Sequence, residues 1–209
     1  MEGKDSMDKQ VHEERSDQAV ARVDSAQIDK IAILVREMMA ELGLDLEDPN
    51  LRETDSRVAK MYLEMFSGLR LGTEPRVTTF PNDEGYNEMV MVKHIPFYSL
   101  CSHHFVPFYG HAHIAYIPSD RIVGLSKLPR IVEFYAHRPQ LQERLTEQVI
   151  SYLDDKLKPQ GAMVVIEARH LCVEMRGVKK PGAMATTSAI RGIFEKKSVR
   201  EEFLDLLKG

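Results

Sequence analysis

The chain has 209 residues, which suits one domain of ordinary size with an added N-terminal element. It is 43% hydrophobic and 29% charged, enough for a sizeable buried core, and its net charge of −4 gives no electrostatic case for nucleic acid as the main partner. No apolar run approaches the roughly 20 residues of a membrane span, which excludes a membrane partner on this ground. The opening Met1-Glu-Gly-Lys-Asp is charged rather than signal-like, so the expected location is cytoplasmic. There the two cysteines are expected to be thiols or metal ligands instead of a disulfide.

Residues 1–24 are polar, mixed in charge and without periodicity, and read as a flexible arm. Residues 25–70 read as a helical region. Ile28, Ile31, Leu34, Val35, Met38 and Leu42 fall at helical spacing, with Gly43 as the stop. A second helix starts at the N-cap type residue Thr54 and carries Val58, Met61, Tyr62 and Met65 to Gly68.

Residues 71–209 read as the catalytic region. Strands are expected from Glu88 to Ile95, stopping at Pro96, and from His111 to Ile117, with Arg121 to Ser126 returning. Two helices follow, over 127–137 and 139–157, the second with Pro139 in its first turn and Leu141, Leu145, Val149, Leu153 and Leu157 on one face. A long strand runs from Gly161 to Arg176, and 183–194 pairs back with it after Pro181-Gly182. A short amphipathic helix, Ser198 to Leu207, closes the chain. The order strand, strand, helix, helix, strand, strand implies an α+β layout with helices on one face of an antiparallel sheet.

Both cysteines sit beside histidines, in Cys101-Ser-His-His104 and Arg169-His-Leu-Cys172. Cys-x-x-His is a spacing that places two ligands on one metal, so Cys101, His104 and Cys172 form the preferred triad, with a fourth tetrahedral position open for water on Zn2+. The alternative is two buried structural cysteines, and either remaining histidine can compete as the ligand. His103 and His170 then stand beside the metal as proton carriers. His111 and His113 share a strand face and are read, like His94 and His137, as ordinary residues of the fold.

Ser126, Lys127 and Arg130 open a helix, where amides and dipole favour anions; Arg176, Lys179 and Lys180 add charge after the second cysteine. On an acidic protein this basic cluster suggests a phosphorylated small molecule, against the alternative of a solvated basic face. Gln142 and Glu143 can read a purine edge or merely compensate a helix dipole.

Taken together, Cys101–Gly110, Tyr116-Ile-Pro, Gly124–Val132, Arg138–Leu145, His170–Gly177 and Thr186-Thr-Ser188 resemble the GTP cyclohydrolase I family, over about residue 26 to the C-terminus. The resemblance implies a tunnelling fold, in which antiparallel sheets of several subunits close into a barrel, beside an N-terminal helical layer. It implies a homodecamer of two stacked pentamers with interfacial active sites. By carry-over Cys101, His104 and Cys172 bind zinc, while Glu143 anchors guanine with help from Gln142. Ser126, Lys127, Arg130 and Arg176 hold the ribose and triphosphate, joined by Arg57 of a neighbouring chain. At that point the sequence departs from the pattern, with Thr54-Asp-Ser-Arg57 where the family commonly has Thr-Pro-x-Arg. The implied reaction uses GTP and water, opens the imidazole ring, releases C8 as formate and recloses to 7,8-dihydroneopterin triphosphate, the first step of folate and pterin biosynthesis. His170 is assigned the N7 proton transfer and His103 acid–base work near the ribose.

Three rival readings compete with this one. A zinc nucleobase deaminase expects His-x-Glu and Pro-Cys-x-x-Cys, and neither occurs. Another pterin or deazapurine enzyme of the same scaffold is disfavoured by the intact Cys-x-His-His and Gly-Leu-Ser-Lys segments. A zinc-stabilised binding module would leave His103, His170 and Glu143 without a role.

Overall fold

The computed structural model describes residues 25–208, so the arm expected over 1–24 lies outside the described residues. Two compact units emerge, one ending at Glu64 and including Arg70–Thr73, the other made of Met65–Leu69 and Glu74 onward.

In the first unit, helix α1 (Ser25–Glu41) buries Val35 and Met39. It stops where expected, because Gly43 takes a φ of 77° and lets Leu44 N–H return to the Met39 carbonyl at 3.1 Å. Helix α2 (Thr54–Met65) buries Ala59 and Leu63. It ends three residues before Gly68, and Ser67–Leu69 forms a separate 3-10 turn in the second unit.

The second unit is built on a mixed sheet. Its strands are β1 (Thr79–Pro81), β2 (Val90–Cys101), β3 (Pro107–Ile117), β4 (Arg121–Val123), β5 (Pro139–Gln140), β6 (Gly161–His170) and β7 (Met184–Gly192). Its helices are α3 (Lys127–Ala136), α4 (Gln142–Leu157), the short turn α5 (Leu171–Glu174) and α6 (Lys197–Lys208). Five strands lie in the order β5-β2-β3-β6-β7, antiparallel apart from the β2–β5 pair.

Alternation along the strands feeds two cores. Ala112, Ile114 and Tyr116 of β3 with Ala162, Val164 and Ile166 of β6 face α3 and α4, whose Leu128, Ile131, Leu145, Val149 and Leu153 are fully buried against them. Each such side chain contributes about 1.5–3 kcal/mol of burial. On the opposite face Ala115, Ile117, Met163 and Val165 meet Phe203 of α6. The one-face expectation therefore holds for α3 and α4 and not for α6.

Several further boundaries differ from the sequence reading, β3 among them, which begins at Pro107 and not His111. β2 runs through Pro96, because β3 flanks one side and only the two-residue β5 the other, leaving an edge where a missing N–H costs little. Arg121–Val123 pairs with β1 instead of returning to β3. Pro139 belongs to β5, and α4 starts three residues later. The long last strand stops at His170, so Cys172 sits on a helical turn.

Candidate metal centre and neighbouring histidine

The candidate site forms at one end of the five-stranded sheet. β2 ends at Cys101, and a tight turn brings the chain back into β3: Phe105 N–H donates to the Cys101 carbonyl at 2.8 Å, and Cys101 N–H to that of Val106 at 2.9 Å. Phe105 takes a φ of 51° to close it. This turn carries His103 and His104. β6 ends at His170, and the α5 turn delivers Cys172. Since β3 lies between β2 and β6, the two cysteine segments flank the same strand end.

The donor atoms of Cys101, His104 and Cys172 lie within 4.8 Å of one another. His103 stays outside that set, although its Nδ1 and that of His104 are each 3.9 Å from Cys101 Sγ. Cys101 is buried, Cys172 half-buried and His104 exposed. Burial pushes the Cys172 thiol up, and contact with Cys101 pushes the same way, opposed by the Arg176 charge. Two packed thiols resist becoming two thiolates unless a cation compensates them, and two sulfurs with one imidazole suit a borderline-soft divalent ion. The donor set fits a metal.

His170 is held from two sides. Its ring stacks on Phe108, centroids 4.6 Å apart and planes within 2°. Phe108 faces His170 in the β3–β6 register, and the next β3 residue-pair but one needs Gly110, where a Cβ would collide with the Glu167 carbonyl. Gln142 supplies the second hold. It is buried at the start of α4, which β5 places there through the Ser102 N–H bond to the Gln140 carbonyl at 2.9 Å. The Gln142 amide nitrogen donates to the carbonyls of Ile166 (2.9 Å) and Ala185 (3.0 Å). Its oxygen must then be the atom 2.7 Å from His170 Nε2, so that nitrogen carries the proton and Nδ1 keeps its lone pair. Burial pulls the His170 pKa down, against the nearby Glu143 charge. His170 is thus a neutral imidazole of fixed tautomer.

Sequence reasoning gave Gln142 a role at the guanine edge; in the structure its amide is engaged by three bonds inside the chain. Glu143, one residue on, is exposed at the helix start. Ser126 occupies the N-cap position of α3 with its hydroxyl unused as a cap, Lys127 is half-buried and Arg130 exposed. Arg176 follows α5 and is exposed. Arg57 lies on α2 in the first unit, 3.4 Å from Glu53. Sequence reading missed Phe108 as the ring under His170; its place inside the Cys101–Gly110 segment was the only signal. It also missed the pairing of Arg169 with Glu174, whose carboxyl that guanidinium holds below the usual range.

A converging thiol, imidazole and thiol beside an oriented neutral histidine define a candidate metal-dependent enzyme on an α+β scaffold. The GTP cyclohydrolase I family model matches residues 31–208. A protein of Streptococcus thermophilus (strain CNRZ 1066) named GTP cyclohydrolase 1 is 49% identical over 182 residues, covering 86% of this chain and 97% of the relative. Proteins of the same name are 50% identical in Thermobifida fusca (91% and 92% covered) and 52% identical in Carboxydothermus hydrogenoformans (79% and 86%). The chain belongs to the GTP cyclohydrolase I family.

Proposed function

We propose that this protein hydrolyses the imidazole ring of GTP, releases C8 as formate and yields 7,8-dihydroneopterin triphosphate. The observation that carries the reading is the convergence of Cys101, His104 and Cys172 beside the oriented imidazole of His170 in a chain of this family. Zinc is the ion proposed for the three donors, and when bound it supplies the Lewis acidity that makes water a nucleophile at neutral pH.

The protein's own groups do the rest. His170, with its proton on Nε2 and a free lone pair on Nδ1, can take and return a proton as N7 changes basicity during ring opening. His103, exposed on the turn after β2, is proposed as the second acid–base group, on the ribose side. Glu143 is free to accept from the guanine N–H groups. Because Gln142 is engaged inward, its help to guanine binding is indirect, through His170. Ser126, Lys127 and Arg130 at the amino end of α3, with Arg176, are proposed to hold ribose and triphosphate, where backbone N–H groups add to the side-chain charge. Arg57 is proposed to join them from a neighbouring copy.

A closed multi-subunit barrel, the tunnelling fold, and a homodecamer remain part of the proposal. Supporting them, among the described residues β7 leaves one edge without a strand over nine residues, and β2 meets only β5 on its outer side. Exposed Ile33, Leu34 and Met38 on α1 are a second apolar surface for assembly. Among the described residues no helix is long and apolar enough to cross a membrane.

The test is to incubate reduced, zinc-loaded protein with GTP and assay formate together with neopterin fluorescence after oxidation. Both products are expected. Formate alone would place the failure at ribose rearrangement, and neither product would overturn the reading.

A further inference from the structure

Two charged residues bracket the turn that carries Cys172. Arg169 is the penultimate residue of β6, and Glu174 closes α5. Arg169 Nε donates to Glu174 Oε1 at 2.8 Å and Nη2 donates to Oε2 at 2.6 Å. Paired N–H···O bonds of this kind fix angle as well as distance, which a lysine cannot do. The Glu174 side chain is only 6% exposed and also accepts the Gly182 backbone N–H, in the turn that leads to β7. One carboxylate therefore ties together the end of β6, the helical turn and the entry to β7.

Between the bracketing residues lie His170 and Cys172, the two groups this segment brings to the candidate site. A four-residue helix holds itself only weakly, with Met175 N–H donating to the Leu171 carbonyl at 3.0 Å at its carboxyl end. Beyond the turn, Lys180 N–H donates to the Val173 carbonyl at 3.1 Å. Where Cys172 Sγ comes to rest depends on what fixes that turn from outside.

We infer that the Arg169–Glu174 pair is a clasp that positions the metal site, setting the α5 turn so that Cys172 meets Cys101 and His104. Both residues act through the backbone they hold, and so are positioning residues. The inference rests on the reading that those three donors bind zinc.

The experiment uses the full chain, with Glu174→Gln, Arg169→Gln and Arg169→Lys variants. Zinc affinity is measured by competition with a chromogenic chelator, the cobalt-substituted protein by absorption, and the metal-free fold by thermal unfolding. Glu174→Gln and Arg169→Gln are expected to weaken zinc binding about 10–100-fold, the range for residues that orient metal ligands from outside. Arg169→Lys keeps the charge without the paired geometry and should fall between them and the wild type. Cobalt spectra should shift in the same order. If Glu174→Gln fails to fold, the comparison of Arg169→Lys with wild type decides the matter. Unchanged zinc affinity and cobalt spectra, with only the melting temperature lowered, would overturn the clasp and leave a structural ion pair. Wild-type protein that takes up no zinc would remove the metal reading itself, and the clasp with it.

Discussion

Three histidines gather at each of two places in the second unit, and among the described residues the first contributes to a converging donor set for a metal while the second does not. At the sheet end are His103, His104 and His170. On the α6 face of the same sheet, His94 lies edge-on to His111 and His113, with centroids 6.0 and 5.1 Å away. There the His94 backbone N–H donates to His113 Nδ1 at 3.2 Å, so the His113 proton sits on Nε2, facing Glu167 Oε2 at 3.6 Å. His113 has no lone pair left to give. At the sheet end the sulfurs and the His104 imidazole converge on one another, with backbone turns holding the chain and the donor atoms spared. A metal-capable group is made by unspent lone pairs brought together, and a count of histidines says little about it.

The sharpest way to break this comparison is to remove one sulfur. Cys172→Ala should lower kcat/KM by about 10³-fold or more, since several kcal/mol of charge stabilisation goes with the ion. His111→Gln, in the other cluster, should leave turnover near wild type. Chelation should reproduce the Cys172 loss while circular dichroism stays native, as expected where the metal serves chemistry and the sheet is held by its own core. Equal losses in the Cys172 and His111 variants would erase the distinction between the two clusters. Next in size is His170→Asn, which keeps a polar group near Gln142 but cannot shuttle a proton at neutral pH. A loss of about 10²–10⁴-fold in formate release is expected. Turnover near wild type would reassign the proton transfer.

Much of this was legible in the sequence, and the parts that were not share a cause. Helix periodicity placed α4, whose Leu145, Val149, Leu153 and Leu157 are buried, because burial of one face at 3.6-residue spacing is a local signal; on the periodic face of α1 Val35 is buried while Leu34, Met38 and Leu42 stay exposed. The alternation that marks strands failed at one point. Val90 and Val92 pack on the first core, yet so do Ile95, Phe97 and Cys101, which have the opposite parity. The extra residue between Val92 and Ile95, with His94 at a φ of 58°, flips the parity. A reader who lets Pro96 end the strand misses that it runs on to deliver Cys101. Residue type and the Cys-x-x-His spacing preferred Cys101, His104 and Cys172 and left the other histidines as competitors; the structure brings the donor atoms of these three within 4.8 Å of one another. The holds on His170 were not, since the Gln142 bonds to Ile166 and Ala185 span 24 and 43 positions and no local pattern announces them.

That buried amide gives a smaller prediction. Gln142→Met removes three bonds, at a net cost of about 0.5–1.5 kcal/mol each. Denaturant unfolding reads the stability loss. The pH–rate profile of the folded variant reads the rest, because His170 would lose the acceptor that fixes its tautomer. A change in stability with an unaltered rate profile would mean that Phe108 stacking alone orients the ring.

The smallest effect belongs to the other cluster, and its sign follows from burial. Desolvation pulls the His113 pKa below the ordinary 6.5, with His94 and His111 pushing the same way and Glu167 opposing them. The unfolded chain therefore binds this proton more readily than the folded one. Stability from the neutral, buried imidazole is complete above pH 6.5 and is lost as pH falls through that value towards the lower folded one. His113→Asn keeps an acceptor for the His94 N–H and removes the titration. Its unfolding free energy should therefore fall less steeply than wild type below pH 6.5, even if it is lower at neutral pH. Parallel slopes for the two proteins would remove the His113 imidazole as a source of acid sensitivity. Activity at neutral pH is the complementary readout: the His113 variant should keep it while the sheet-end variants lose theirs, because a histidine whose lone pair is spent on the backbone can fail without touching the chemistry.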